Sequence, residues 1–224
     1  SSMLASTIVD FSGLADMSLT DLQKALTGKN VSHSVSINNN TEVVSGSSTV
    51  KDLETLLQIN YLSFTAPRRD EEAYQTLMSV LNSQLANRDK NPKVAFSDSI
   101  QMMANDHSSR IVLQDLAWLE KVNLDKALEV YKARFANPAD FVFTFVGNVD
   151  PADKVFQKMV CTWLGGLKTS KKKESVRDNG VRAPEGINKN YFTRPMETKT
   201  ASNRIQYTSY DMPYTLANDL NMEM

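Results

Sequence analysis

The sequence predicts an α+β fold in which a small, mostly antiparallel sheet carries several helices on one face. Residues 31–37 alternate apolar and polar side chains, as a half-exposed strand does, and after a turn at 38–40 residues 41–46 return as a second strand. Residues 141–146, with the sequence FVFTFV, are β-branched and aromatic, and a helical pattern over 151–164 follows them. We therefore expect 141–146 to be a central strand, with helices packed back on the sheet.

The composition limits the classes of protein to which this chain can belong. The chain has 224 residues, and its hydrophobic fraction of 41% is enough for a substantial core. A net charge of −1 gives no electrostatic reason to expect nucleic acid or a membrane surface as a partner, and no apolar run is long enough to span a bilayer. The single cysteine, Cys161, excludes an internal disulfide. We expect it to be a buried and inert thiol beside Met159 and Trp163.

Helices are predicted from apolar stripes that begin at capping residues and end at glycine or proline. In the first part of the chain we expect a short helix over residues 4–11 stopped by Gly13, a helix from Ser18 to Gly28, and a long helix that begins at Ser48 or Thr49 and ends before Ala66-Pro67. Further on, Asp70 opens a helix, Pro92 starts another, residues 113–119 form a short helix or turn, and Asn123 caps a helix that ends at Phe135.

The unit 141–167 joins the predicted central strand to a helix. We expect Phe141, Phe143 and Phe145 on one face of the strand, with Val142 and Val146 on the other. Asp150 is the expected N-cap and Pro151 the first helical residue, because a carboxylate and a preset φ both suit a helix start. The expected inward stripe of this helix is Val155, Phe156, Met159, Val160, Trp163 and Leu164, and Gly165-Gly166 ends it.

Three parts are expected along the chain. Residues 1–167 form the first α+β subdomain, 168–188 form a solvated linker, and 189–224 begin a second, incomplete strand–helix unit. In the last part we expect strands at 189–193 and 203–210 and a helix opened by Pro213-Tyr214. Since the sequence stops within this helical pattern, we expect a fragment of a longer protein. Within the linker, Lys171, Lys172, Lys173 and Arg177 are the expected sites of first proteolysis.

A family resemblance rests on three runs of sequence. RFANPADFVFTFVGNVDPADKVFQKMVCTWLGGL resembles the segment that closes the first subdomain in each half of M16 zinc peptidases, the pitrilysin and insulinase clan. SLTDLQKALTGKNVS and KDLETLLQINYLSFTAPRRDEEAY precede it in the order that this family has. The chain resembles the non-catalytic C-terminal half of a bacterial member. This implies a LuxS/MPP-like M16 peptidase fold and, through bacterial relatives that are often exported, a periplasmic location.

The sequence does not contain the zinc motif of this family, which is His-x-x-Glu-His on a helix. His33 and His107 are the two histidines, and neither has a histidine or glutamate at the required spacing. The helix in the equivalent place offers Asp16 and Asp21 but no histidine. We therefore expect no cofactor in this chain, and zinc in the catalytic half of the parent protein. Asp106-His107-Ser108 are adjacent residues and cannot take the geometry of a catalytic triad.

Two groups of residues are candidates for contact with a peptide substrate: the possible sheet edge Thr41, Glu42, Val43 and Val44, and the pair Arg68 and Arg69 after a helix end. An exposed edge accepts an extended peptide by strand addition, unless neighbouring subdomains cover it. The two arginines also suit the negative end of a helix dipole, which is a structural role. We expect Glu54, Glu71 and Glu72 to be structural.

The resemblance implies a non-catalytic segment of an M16-type metalloendopeptidase, which forms part of the wall of the peptide-degrading chamber. Its expected partners are the catalytic half, in the same polypeptide or in a partner subunit, and a peptide substrate. One alternative is a zinc-less binding or assembly subunit that partners an active peptidase chain. Another is a stand-alone module with an unrelated ligand. A His-x-x-Glu-His motif upstream in the same polypeptide would favour the first hypothesis.

Overall fold

The structure is a computed structural model that describes residues 2–170, 174–175, 177–196, 198–208, 213 and 215–223. It divides into two compact units. The first comprises Ser1–Ala86 and Gln114–Arg177, and the second comprises Asn87–Leu113 and Asp178–Met224. The expected parts 1–167, 168–188 and 189–224 follow other boundaries, and they remain a prediction about the domains of the protein.

The sheet of the first unit is an antiparallel pair, β1 (Val31–Ile37) and β2 (Glu42–Ser48). The predicted bounds of β1 are confirmed, whereas β2 begins and ends later than the predicted 41–46. Val31, His33, Val35 and Ile37 share the inner face of β1. On the outer face serines stand opposite one another, and the hydroxyls of Ser32 and Ser47 and of Ser34 and Ser45 lie 2.9 Å apart. This serine ladder leaves the outer face polar.

The helices are, in chain order, α1 (Ala5–Ser12), α2 (Leu19–Ala25), α3 (Leu53–Thr65), α4 (Glu71–Leu85), α5 (Pro92–Ala104), α6 (Leu116–Leu119), α7 (Leu124–Arg134), α8 (Lys154–Trp163) and α9 (Leu216–Glu223). Single 3₁₀ turns lie at Ser2–Leu4, Val50–Asp52, Arg88–Lys90 and Pro138–Asp140. Ser18, Asp70 and Asn123 cap their helices through side-chain oxygens that accept backbone N–H groups, as predicted.

The predicted start of α8 is wrong. Asp153, and not Asp150, is its N-cap, and the Asp153 carboxylate accepts the N–H of Val155 at 2.9 Å. The Asp150 carboxylate accepts the N–H of Ala152 at 2.8 Å and so closes a turn that lies before the helix. An aspartate carboxylate accepts backbone N–H groups both in a turn and at the start of a helix. The sequence alone therefore does not show which of the two aspartates is the N-cap.

The main core of the first unit surrounds α1, whose Ala5, Ile8 and Val9 are fully buried against β1, α4 and α7. A second cluster joins α3 to α8, and its members are Leu53, Leu56, Leu57, Phe156, Met159, Trp163 and Leu164, with Val31 and Val149 packed beside them. Helix α3 lies very close to β2 at Gly46, where an added Cβ would stand 2.5 Å from a Leu56 methyl group. Glycine at this position lets the helix approach the strand.

Residues 141–146, called the extended segment below, do not form the predicted central strand. Its phenylalanines do turn inward as expected: the rings of Phe141 and Phe143 lie 5.0 and 6.2 Å from that of Phe64, and Phe145 lies 5.3 Å from Phe156. Phe143 and Phe145 are still 40% and 37% exposed, so the expected burial is incomplete. The prediction fails because a strand is defined by its hydrogen-bonded neighbour, and no described strand lies beside this segment.

Two expected buried residues of α8 are exposed. Val155 and Cys161 face solvent, because α8 packs on α3 and no strand among the described residues covers its other side. The prediction that Cys161 is buried is therefore wrong, and its inertness remains a prediction. The inward positions Phe156, Met159 and Trp163 agree with the predicted stripe.

The second unit contains α5 and α9. The side chain of Asn190 donates to the Ser99 hydroxyl at 2.5 Å, and the rings of Phe96 and Phe192 lie 6.4 Å apart. The predicted helix after Pro213 is confirmed by α9. Residues 189–193 and 203–208 are not paired as strands. Residues 171–173, 209–210 and 214, on which other predictions fall, lie outside the described residues.

Candidate functional site

The candidate substrate contacts Arg68 and Arg69 line one open cavity of about 550 Å³ between α3 and α4. Its other lining residues are Ala15, Asp16, Ala66 and Pro67. Pro67 ends the helical pattern of α3, and Asp70 opens α4, so the intervening residues form a short exposed turn. Ala15 adopts a positive φ of 52° here, and its N–H donates to the carbonyl of Ala66 at 2.8 Å. This bond ties the turn to the end of α1.

Both arginines already have acidic partners. A guanidinium nitrogen of Arg68 lies 2.9 Å from the Asp70 carboxylate, and Arg69 lies 2.7 Å from Asp125 and 3.1 Å from Glu71. The hydrogen bond from Arg69 is the main cause that lowers the pKa of Asp125, so this pair stays ionised. Since three carboxylates face two guanidinium groups, the turn has no surplus positive charge for a free anion. A substrate contact through Arg68 and Arg69 remains a prediction.

The candidate edge Thr41, Glu42, Val43 and Val44 lies at the start of β2. Asn38 donates its N–H to the carbonyl of Thr41 at 2.8 Å, which marks this pair as hydrogen-bonded between the strands. Hydrogen-bonded pairs alternate in an antiparallel ladder, so Val43 also bonds toward β1, whereas the N–H and C=O groups of Glu42 and Val44 point away from it. The edge that a peptide strand could join is therefore formed by Glu42 and Val44.

The side chain of Glu42 lies on the inner face of the sheet, where an ion pair holds it in place. It lies 3.1 Å from the guanidinium group of Arg134 in α7, and it stands opposite Ile37. Val43 points to the outer face and is exposed. This arrangement leaves backbone groups for a peptide and fixes the acidic side chain elsewhere. Whether a substrate uses this edge remains a prediction.

A polar cluster, made of the half-buried Asp10 and His33 and the fully buried Ser63 and Tyr131, lies between α1, β1, α3 and α7. Ser63 donates its hydroxyl to the carbonyl of Ile59 at 3.0 Å, so it accepts from the Nε2–H of His33, also at 3.0 Å. Tyr131 donates its hydroxyl to the carbonyl of Ser63 at 3.0 Å. That carbonyl has no N–H four residues on, because residue 67 is proline, and the tyrosine replaces the missing helical bond.

Burial shifts the acid–base properties of this cluster. It raises the pKa of Asp10 from 3.8 to about 6, although a hydrogen bond from the N–H of Val35 opposes the change. It lowers the pKa of His33 from 6.5 to about 4, so the imidazole is neutral at pH 7. The pKa of Tyr131 is raised by burial and by the nearby Asp10. Ser63 and Tyr131 are fully buried, and their hydrogen bonds join α3 to β1 and α7, so the arrangement supports the packing of these elements.

The residues of this chain do not fit a zinc site. The Nε2 atom of His33 is engaged with Ser63, and neither His33 nor His107 has a histidine or glutamate at the spacing of the zinc motif. No group of three or more histidine, cysteine, aspartate or glutamate side chains that could hold a metal occurs in the described part of the chain. Zinc catalysis needs about three protein ligands and an open position, so no step through a metal is assigned to these residues.

Sequence reasoning missed Asp10, Ser63 and Tyr131 as a connected group. One signal was present: Asp10 interrupts the apolar run Ile8, Val9 and Phe11, and an acidic residue in such a run is unusual in a core. Its partners come from positions far apart in the chain. The distances among them could not be obtained from periodicity.

Comparisons with known proteins find similarity in structure but no match in sequence. The sequence matches no protein-family model and no curated protein. Among solved structures, a mutant of the ferredoxin protease FusC in complex with Arabidopsis ferredoxin has a TM-score of 0.64 at 18% identity, over 80% of this chain and 19% of that one. The periplasmic protease PqqL from Escherichia coli has a TM-score of 0.65 at 22% identity, over 81% of this chain and 20% of that one.

A protease from Helicobacter pylori has a TM-score of 0.58 at 14% identity, over 80% of this chain and 44% of that one. At these identities the likeness concerns the fold. The chain therefore has an α+β fold that also occurs within proteases, and it spans about a fifth of the length of two of them. No helix among the described residues is long and apolar enough to cross a membrane.

Proposed function

We propose that this chain is a non-catalytic segment of an M16-type zinc metalloendopeptidase and forms part of the wall of its peptide-degrading chamber. The observation that carries the proposal is the likeness of fold to proteases over about four fifths of the chain, at TM-scores of 0.64 and 0.65. The resemblance of residues 134–167 to an M16 segment supports the same family. A periplasmic location belongs to the proposal, and the likeness to the periplasmic protease PqqL supports it.

In this proposal the chemistry is divided between two parts of the protein. Zinc bound in the catalytic half supplies Lewis-acid activation of water. The residues of the present chain bind and orient an extended peptide. They do so at the β2 edge, where the N–H and C=O groups of Glu42 and Val44 point away from β1 and match the backbone of an added strand. The arginine turn lies outside this contact, because Asp70, Glu71 and Asp125 already neutralise it.

A matched pair of variants at Glu42 tests this role. Glu42→Pro removes an outward N–H at the first residue of β2, where proline is tolerated. Glu42→Gln keeps this N–H and, like the proline variant, removes the ion pair with Arg134. Loss of one strand hydrogen bond, about 1–1.5 kcal/mol, should weaken binding of an unfolded peptide about ten-fold in the proline variant, and Glu42→Gln should stay within about two-fold.

Binding is measured by the fluorescence anisotropy of a labelled peptide of mixed sequence, and its location by the exchange of the Val44 amide with solvent. We expect the peptide to slow this exchange in the parent chain and in Glu42→Gln. Equal affinity in all three proteins, or unchanged exchange at Val44, would exclude the β2 edge as the place where the chamber wall holds a peptide.

A further inference from the structure

Asn179 and Gly180 form the one Asn-Gly pair of the sequence. In such a pair the backbone nitrogen of the second residue reaches the side-chain amide carbon of the first most easily, because glycine has no side chain to obstruct the approach. The pair belongs to the second unit and to the described stretch 177–196, which forms neither helix nor strand. Asn179 is half-buried and Gly180 is exposed, so solvent water reaches both residues.

A hydrogen bond folds the side chain of Asn179 along the backbone that follows it. Its oxygen Oδ1 accepts the N–H of Val181 at 3.0 Å, which is the bond of an Asx turn. Gly180, between these two residues, has a left-handed φ of 71°, which glycine adopts without strain. The side-chain amide of Asn179 is thereby held beside the peptide bond that joins it to Gly180. Closing a ring between these two groups costs less when the groups are held together in advance.

An ionised carboxylate lies against the backbone nitrogen of Gly180. Oδ1 of Asp178 accepts the N–H of Gly180 at 2.9 Å. Arg182 donates to both oxygens of this carboxylate, and its hydrogen bond is the main cause that lowers the pKa of Asp178 to about 2. The carboxylate is therefore charged at neutral pH. It lies within reach of the proton that a base must remove before the nitrogen can attack.

The same turn places a donor on the group that would be attacked. Val181 donates its N–H to Oδ1 of Asn179, which is the oxygen on which negative charge develops when a nucleophile adds to the amide carbon. A base at the nucleophile and a donor at the carbonyl oxygen both lower the barrier to such an attack. The bonds of this turn therefore favour reaction of Asn179 with its own backbone.

We propose that Asn179 is a site of covalent self-modification, at which the side-chain amide becomes a carboxylate through a succinimide ring. In the first step the backbone nitrogen of Gly180 gives its proton to Asp178 and forms a bond to Cγ of Asn179. The bond from Cγ to the side-chain nitrogen then breaks, and ammonia leaves with that proton. In the second step water adds to one of the two ring carbonyl carbons and opens the ring. One water is consumed and one ammonia released, and the product is aspartate or isoaspartate.

The modification changes the charge and the backbone of this segment. The neutral Asn179 becomes a second carboxylate beside Asp178, so two negative groups then face Arg182. The isoaspartate product also adds one carbon atom to the main chain. This inference goes beyond the peptidase role proposed above and does not depend on it, since it rests on the bonds of one turn.

The products are measured in the whole chain after incubation at neutral pH. The protein is digested, and the peptide that contains residue 179 is followed by mass spectrometry and by chromatography that separates aspartate from isoaspartate. We expect both products at residue 179. Isoaspartate identifies the succinimide, because direct hydrolysis of the side-chain amide gives aspartate alone. Asn188, an exposed asparagine of the same unit that precedes lysine, is the internal control and should stay intact.

Two variants separate the base from the turn. Asp178→Asn keeps an oxygen that can accept the N–H of Gly180 but removes the base, and it should slow the reaction about ten-fold. Arg182→Gln keeps the carboxylate and lets its pKa rise toward the ordinary value, so it should react at least as fast as the parent chain. The rate in the parent chain should depend less steeply on pH than the rate in Asp178→Asn, in which hydroxide has to remove the proton.

The chain unfolded in urea is the reference, because it has the same residues without the fixed turn. We expect the folded chain to react about ten-fold faster than this reference. An equal or slower rate in the folded chain, or aspartate without isoaspartate, would overturn the proposal. Equal slowing in Asp178→Asn and Arg182→Gln would assign the Asp178–Arg182 pair to structure and remove the carboxylate as the base. Equal rates and parallel pH profiles in the parent chain and Asp178→Asn would exclude the carboxylate in the same way.

Discussion

Asp10 and His33 should oppose each other in the dependence of stability on pH. The folded pKa of Asp10 lies above its ordinary value, at about 6 against 3.8. The folded state therefore binds its proton more tightly, and the stability from this group is present below pH 3.8 and is lost as the pH rises toward 6. The folded pKa of His33 lies below its ordinary value, at about 4 against 6.5. The unfolded state binds that proton more tightly, so stability increases as the pH rises from 4 to 6.5.

The two effects have similar size. At about 1.36 kcal/mol per pH unit, the gap for Asp10 and the gap for His33 each correspond to about 3 kcal/mol. Between pH 4 and 6 they act with opposite sign, and the parent chain should show little net change from this pair. In His33→Gln the free energy of unfolding should fall by up to about 3 kcal/mol over this range, relative to the parent chain, and in Asp10→Asn it should rise by a similar amount.

Both substitutions keep the local hydrogen bonds. In His33→Gln the introduced amide can still donate to the hydroxyl of Ser63, and in Asp10→Asn the introduced side-chain carbonyl can still accept the N–H of Val35. The free energy of unfolding is measured in urea at pH 4, 5, 6 and 7, with the fluorescence of Trp118 and Trp163 as the probe of the first unit. Exposed carboxylates titrate in all three proteins and cancel in the differences. Parallel pH profiles for the three proteins would refute the reasoning.

Three further predictions concern the same unit and use the same urea assay. Tyr131→Phe leaves a buried carbonyl of α3 without its donor and should cost about 1–3 kcal/mol; an unchanged midpoint would contradict this bond. Gly46→Ala forces a methyl group into the contact between β2 and α3 and should cost about 1–3 kcal/mol, unless the helix can withdraw. Phe135→Ala at a buried position should cost about 3–5 kcal/mol. Phe143→Ala should cost clearly less because that ring is half exposed, and the reverse order would be inconsistent with the packing.

The parts of the fold that depend on neighbouring residues could be predicted from the sequence. The caps Ser18, Asp70 and Asn123 act on N–H groups two or three residues away, and the alternation in β1 is a property of one short run. The inward direction of Phe141 and Phe145 was predictable for the same reason. In each case the signal is a hydrogen bond or an alternation that lies within a few residues.

The predictions that were wrong concern features that depend on which other element packs against a segment or helix. The extended segment has strand composition, but no strand among the described residues lies beside it. Cys161 was expected in the core beside Met159 and Trp163, whereas α8 packs its inward stripe on α3 and Phe145 and leaves Cys161 exposed. The pKa values of Asp10 and His33 arise from packing between α1, β1, α3 and α7, and no local pattern encodes such a contact.

The central claim, that this chain lacks catalytic metal chemistry of its own, is tested most directly by zinc content and cleavage measured together. The protein is treated with a chelator, reconstituted with zinc and desalted, and its zinc is measured by elemental analysis beside a quenched-peptide cleavage assay. We predict far less than one zinc per chain and no cleavage that a chelator abolishes, because His33 is engaged with Ser63 and no metal-binding group occurs among the described residues. One zinc per chain together with chelator-sensitive cleavage would contradict the account.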